Sequence, residues 1–130
     1  MPHRLQTRRL TLTPLNDADL DEFAELNADV RTRTFTSTGL PGTLEESREE
    51  VAESDRAWRD RGHGTWAVRT TDGRFVGVIE TIPDGWDNGA PDLGWIIRPE
   101  DWGQGFAVEA ATSAINDLFE RLGVSHVTRI

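Results

Sequence analysis

Residues 92–111 read DLGWIIRPEDWGQGFAVEAA, and this stretch decides the fold. Residues 92–98, DLGWIIR, read as a strand. After them come Trp102-Gly103-Gln104-Gly105-Phe106-Ala107 and then a helix over 106–122, FAVEAATSAINDLFERL. In that helix Ala107, Ala110, Ala111, Ala114, Ile115, Leu118, Phe119 and Leu122 make one continuous apolar stripe, and Gly123 is a fitting terminal glycine. A strand feeding a glycine-rich turn at a helix start gathers unpaired backbone N–H groups at one point. The helix dipole adds partial positive charge there, so the turn can hold a phosphate. Glycine suits such a turn because a Cβ would block close backbone approach and restrict φ.

Three kinds of phosphate loop compete for this reading. A Walker A loop requires Gly-Lys-Ser/Thr, and the chain contains no Lys. A dinucleotide fingerprint needs Gly or Ala at the sixth position counted from Gly103. Val108 stands there, and no acidic residue follows at the usual distance. The remaining option is the diphosphate loop of an acyl-coenzyme A binder.

Working outward, residues 8–15, RRLTLTPL, alternate Leu with Thr and read as a strand ending at Pro14. Asn16 or Asp17 offers a cap for a helix over 17–30, with Leu20, Phe23, Ala24 and Asn27 inward and Asp19, Asp21, Glu22 and Glu25 outward. Residues 31–42, RTRTFTSTGLPG, have no period and read as a loop. Thr43 to Glu46 is a T-x-x-E capping box that opens a second helix through about Arg61. Its Glu45, Glu46, Glu49, Glu50 and Glu53 read as a solvated face, since no His accompanies them. Strands follow at 65–69 and 74–82, joined by Thr71-Asp72-Gly73, a hairpin turn signal. The stretch 83–91 is a loop, and 124–130 begins a last strand. The order β-α-α-β-β-β-α-β predicts an α/β (α+β) domain over residues 1–130, with helices flanking a mixed, mostly antiparallel sheet.

Composition narrows the function classes. All 14 basic residues are Arg against 23 Asp and Glu, for a net charge of −9. That balance argues against a nucleic-acid binder, which draws most of its affinity from neutralising phosphates, and against an anionic membrane surface. With no Cys there is no thiolate metal site and no cysteine nucleophile. His3, His63 and His126 lack ligand spacing, so no metal is expected. No apolar run approaches a membrane span or a signal peptide, and a cytoplasmic location is expected. The missing Lys fits either a GC-rich genome or adaptation to high salt.

With these elements in place, the chain resembles the GNAT N-acetyltransferase superfamily, in the branch of the ribosomal-protein N-acetyltransferases RimJ and RimL. The text that carries the resemblance is RRLTLTPL, GHGTWAVR, RFVGVIE and above all PDLGWIIRPEDWGQGFAVEA. The family's turn has Arg or Gln, two residues, Gly, one residue, then Gly or Ala. Gly105 and Ala107 match the last two positions, while Trp102 stands where Arg or Gln is usual. The resemblance implies acetyl-coenzyme A as co-substrate. The backbone around Trp102, Gly103, Gln104, Gly105, Phe106 and Ala107 would hold its diphosphate, and the strand Trp95, Ile96, Ile97 and Arg98 would line its pantetheine arm.

The implied reaction is attack of an amine on the thioester, with the amine coming from a small molecule or a peptide N-terminus. It needs a neutral amine, a backbone N–H for the oxyanion and an acid for the thiolate. Asp92 takes the place of a Glu that often accepts the amine proton through water, and Glu80 on the neighbouring strand is the second candidate. Glu109 matches a Glu common in the branch and reads as a dipole partner and packing residue, not a base. His63, between two glycines, reads either as a loose loop residue or as one lining the acceptor cleft, and the resemblance places the loop residues Phe35, Thr36, Gly39 and Trp86 on the acceptor side. Such relatives continue beyond the equivalent of Ile130 and frequently carry a Tyr that protonates the thiolate; this chain has none. The resemblance therefore implies missing C-terminal elements, from truncation or supply by a partner chain. An open last strand would then favour a homodimer.

Overall fold

The computed structural model describes residues 3–33, 42–82, 92–123 and 128–129. The strands are β1 (Leu5–Gln6), β2 (Leu10–Pro14), β3 (Thr65–Thr70), β4 (Phe75–Ile82), β5 (Asp92–Ile97) and β6 (Thr128–Arg129). The α-helices are α1 (Leu20–Ala28), α2 (Val30–Arg33), α3 (Leu44–Arg61) and α4 (Phe106–Leu122), with short 3-10 turns at Asp17–Asp19 and Pro99–Asp101. Among the described residues these strands form one sheet in chain order. β1 through β5 pair antiparallel, and β6 pairs parallel with the start of β5.

Alternation along each strand sorts side chains onto two faces. Leu10, Leu12, Trp66, Val68, Ile79 and Leu93 face α4 and meet its Phe106, Ala110, Ala111 and Ala114. Leu15, Ala67, Phe75 and Val78 face the other way, against Phe23 and Leu26 of α1 and Val51 of α3. Each fully buried large side chain of this kind contributes roughly 1.5–3 kcal/mol by leaving water. The β3–β4 hairpin closes at Thr71-Asp72-Gly73, where Gly73 takes φ +97° and its N–H donates to the Thr70 carbonyl at 2.9 Å. At Gly77 the backbone of β5 comes so close that a Cβ would lie 2.1 Å from the Ile96 carbonyl oxygen, so only glycine lets these strands pair.

Several expectations are corrected. The sheet carries an extra first strand, β1, whose two residues are too few to show alternation. The first helix stops at Ala28, and residues 30–33, of which 31–33 were expected in a loop, form α2. Asp29 causes this break. Its backbone is extended and its carboxylate accepts from the Arg31 N–H at 3.0 Å, starting a new helix. Asp19, expected outside, is buried. It closes a capping box with Asn16 and accepts from Arg69 at 2.8 Å. The stripe on α4 is interrupted by buried Asp117, bound by His3 at 2.7 Å and by Arg121, whereas Phe119 and Leu122 are exposed.

Candidate active site

β5 has two different edges. One pairs with β4 from Gly77↔Ile97 to Ile82↔Asp92, and Arg98 extends it by donating to the Val76 carbonyl at 2.8 Å. In an extended strand successive residues direct their N–H and C=O to opposite edges. Ile96 and Arg98 therefore spend their backbone on β4, and Trp95 and Ile97 direct theirs to the far edge. On that edge β6 pairs only with Asp92 and Leu93 among the described residues. Of the four residues expected to line a pantetheine arm, Trp95 and Ile97 are the ones whose main-chain groups point to that edge.

The far edge leads into the glycine turn. The Trp102 indole N–H donates to the Ile97 carbonyl at 2.8 Å, bracing the turn against the strand while the ring stays exposed. Gly103 and Gly105 take φ +80° and +78°, the left-handed region that side chains disfavour. Gly105 is the N-cap of α4 and supplies no capping side chain. The first backbone bond of the helix runs from the Glu109 N–H to the Gly105 carbonyl at 3.1 Å. The N–H groups of Gly103, Gln104, Gly105, Phe106, Ala107 and Val108 make no hydrogen bond to the described residues. An uncapped helix start with consecutive free donors on a glycine backbone fits a diphosphate.

Glu109 does not cap α4. Its carboxylate accepts from Thr7 Oγ1 at 2.5 Å, the Arg9 backbone N–H at 2.9 Å and Arg9 Nε at 2.7 Å, tying the first turn of α4 to the β1–β2 turn. Partial burial would raise its pKa. The bonds from Thr7 and Arg9 outweigh that and hold the carboxyl below its ordinary range. Arg98, the cation nearest in sequence to the glycine turn, bonds elsewhere, donating to the Phe75 carbonyl at 3.3 Å and lying 3.8 Å from Glu100. It lines an open cleft of about 330 Å³ against α1, shared with Glu22, Glu25, Asp29, Arg31 and Glu100. There Arg31 bonds both Asp29 and Glu100 and keeps these two carboxylates charged.

Glu80 is half-buried on β4, on the face that carries Val78 toward α1 and α3, directly opposite Gly94 of β5. Asp92 heads β5 two residues from Gly94 along the chain, so register brings the two candidate carboxylate positions to one end of the β4–β5 pair. Nothing is described of the Asp92 side chain. Residues 34–41 and 83–91, with Phe35, Thr36, Gly39 and Trp86, lie outside the described residues, as do His126 and Ile130. His63 is bonded rather than loose in a loop. The Thr81 hydroxyl donates to the Gly64 carbonyl at 2.8 Å, so the 2.9 Å contact to His63 Nδ1 requires the proton on that ring nitrogen. Burial first, then Arg61 and Arg121, lower the His63 pKa and keep the ring neutral. Thr81 belongs to the α4 face, so His63 and Glu80 act on opposite sides of the sheet. Among the described residues no His, Asp or Glu group is arranged to hold a metal ion, and no helix is long and apolar enough to cross a membrane.

This geometry agrees with the comparisons. The model of the acetyltransferase (GNAT) domain matches residues 9–129, and the chain belongs to that family. A similar curated protein is the FsC-acetyl coenzyme A-N(2)-transacetylase of Aspergillus fumigatus, 30% identical over 131 residues that cover 95% of this chain. The chain spans 55% of that relative's length. Among solved structures, an acetyltransferase from Agrobacterium tumefaciens superposes with TM-score 0.80 at 27% identity, covering 96% of this chain and 71% of the other. The spermidine N-acetyltransferase of Vibrio cholerae, in complex with CoA and spermine, shares the fold with TM-score 0.75 at 21% identity, over 93% and 70%. The expected mixed sheet flanked by helices is the observed one.

Proposed function

We propose that this chain, as one acetyltransferase domain of the RimJ- and RimL-like branch, transfers the acetyl group of acetyl-coenzyme A to a primary amine in a ternary complex. The observation that carries this reading is the run of free N–H groups from Gly103 to Val108, continuous with the outward N–H group of Ile97. A diphosphate needs converging donors and an amide-bearing arm needs a strand edge, and β5 with its turn supplies both. The co-substrate contributes the thioester. The protein holds it, orients the acetyl carbon and receives the proton that the amine gives up as the new C–N bond forms and the C–S bond breaks.

Glu80 is the base on this reading, with Asp92 the alternative. Gly94 opposite Glu80 adds no side chain between that carboxylate and the strand edge. The acidic surface suits cationic amines or basic peptide N-termini. The spermidine acetyltransferase whose fold it shares gives one such acceptor class. The test is calorimetric binding of acetyl-coenzyme A, followed by thiol release with polyamines, N-terminal peptides and small amines. Binding with turnover on at least one acceptor supports the reading. Binding with no turnover on any acceptor makes the chain a non-catalytic coenzyme A-binding module. Absence of binding overturns both.

A further inference from the structure

On an acidic chain without Lys, a polyanionic ligand at the glycine turn meets dipoles and Arg side chains only. The Arg beside the turn comes from the opposite end of the sequence. Arg9 Nη2 lies 3.6 Å from the point where a Cβ on Gly105 would stand. Its guanidinium packs over the Phe106 ring at 4.6 Å, and its Nε is engaged by Glu109 at 2.7 Å. The side chain is thus fixed from two directions, while its two terminal nitrogens bond none of the described residues. Glu109 neutralises part of the charge but occupies only the inner nitrogen, leaving the planar fork that matches a phosphate. Arg98, four residues before Trp102 in the chain, is spent on Phe75 and Glu100.

We propose that Arg9 is a cofactor-binding residue whose terminal guanidinium nitrogens contact the diphosphate of coenzyme A alongside the amides of Gly103 to Val108. The assignment rests on the acetyltransferase reading above and deepens it. It also gives Glu109 and Thr7 a purpose, since together they hold the Arg9 side chain at the turn. A cation pre-positioned in this way loses little conformational freedom on binding.

The test is calorimetry of the wild type, Arg9→Gln and Arg9→Lys with three ligands: coenzyme A, 3′-dephospho-coenzyme A and pantetheine. Arg9→Gln is expected to weaken both diphosphate-bearing ligands by roughly 10-fold or more, the usual loss for a charge-assisted hydrogen bond, and to leave pantetheine unchanged. Arg9→Lys, which keeps the charge without the fork, falls between and serves if the Gln variant does not fold. The dependence of coenzyme A affinity on salt is expected to flatten in Arg9→Gln. Equal losses on pantetheine and coenzyme A would make Arg9 a structural brace only and overturn the proposal. So would unchanged coenzyme A affinity, or a loss that disappears with 3′-dephospho-coenzyme A. A wild type that binds no coenzyme A at all fails the acetyltransferase reading itself, a different result from any of these.

Discussion

The two long helices begin in opposite ways. At the start of α3, Thr43 Oγ1 accepts from the Glu46 N–H at 3.1 Å and Glu46 returns a carboxylate oxygen to the Thr43 N–H at 2.8 Å. Two donors at this helix start, the N–H groups of Thr43 and Glu46, are satisfied by side chains of the capping box. At the start of α4 the cap is Gly105, which has nothing to offer, and the glutamate one position further in, Glu109, turns away to Thr7 and Arg9. A helix start that consumes its own donors serves stability. One that leaves them open serves a ligand, and the stability it forgoes is recovered by tethering its first turn to a distant segment.

Filling the open start is the most damaging change this contrast predicts. Gly105→Val places a branched side chain at φ +78°, straining the backbone by about 1–2 kcal/mol and blocking approach to the amides. Acetyl-coenzyme A affinity should fall by roughly 100-fold or more, given several charge-assisted bonds lost at once. Titration calorimetry alongside a thermal melt separates that loss from unfolding. Unchanged affinity would mean that the turn is only a connection.

Cutting the tether comes next. Glu109→Ala removes bonds to a charged carboxylate, each worth about 1.5–3 kcal/mol in typical cases, and should lower stability in denaturant titrations at neutral pH. The pKa of Glu109 is depressed in the fold, so its contribution is complete above the unfolded value near 4.3. The contribution is lost as pH falls through the folded value. The gap between wild type and variant should therefore narrow on acidification below about pH 4.3. A gap independent of pH would show that the carboxylate charge is not what holds the tether.

The closed start gives the converse. Thr43→Ala should cost about 1 kcal/mol of stability and leave acetyl-coenzyme A affinity unchanged. A parallel loss of affinity would break the contrast between the two helices. Smallest of all is Trp102→Phe, which keeps a ring but removes the bond to the Ile97 carbonyl. A loss of about 0.5–1.5 kcal/mol in melting experiments is expected. No change at all would mean the indole N–H does not brace the turn.

Much of this contrast is legible in the amino-acid order. The T-x-x-E box, the Asp72-Gly73 hairpin, the glycine turn and the apolar stripe of α4 are written within a few residues of where they act. Reading fails where a partner is remote. Asp19 looks like a surface carboxylate until Arg69, 50 residues on, reaches it. Asp117 interrupts an apolar stripe because His3 and Arg121 converge on it. Trp95 to Arg98 look alike in sequence, and only pairing with β4 divides their backbone groups between two edges.

The sequence by itself determined the local devices and, through them, the class of fold and the family. Helix caps, turns and periodicities depend on torsion angles and bonds spanning at most a few residues, so the amino-acid order fixes them directly. Tertiary structure alone decided which cation stands beside the glycine turn. Arg9 is brought to Gly105 by sheet pairing and by the pull of Glu109, contacts that link positions about a hundred residues apart. Long-range packing chooses such neighbours, because the free energy that joins them belongs to the whole core rather than to either segment.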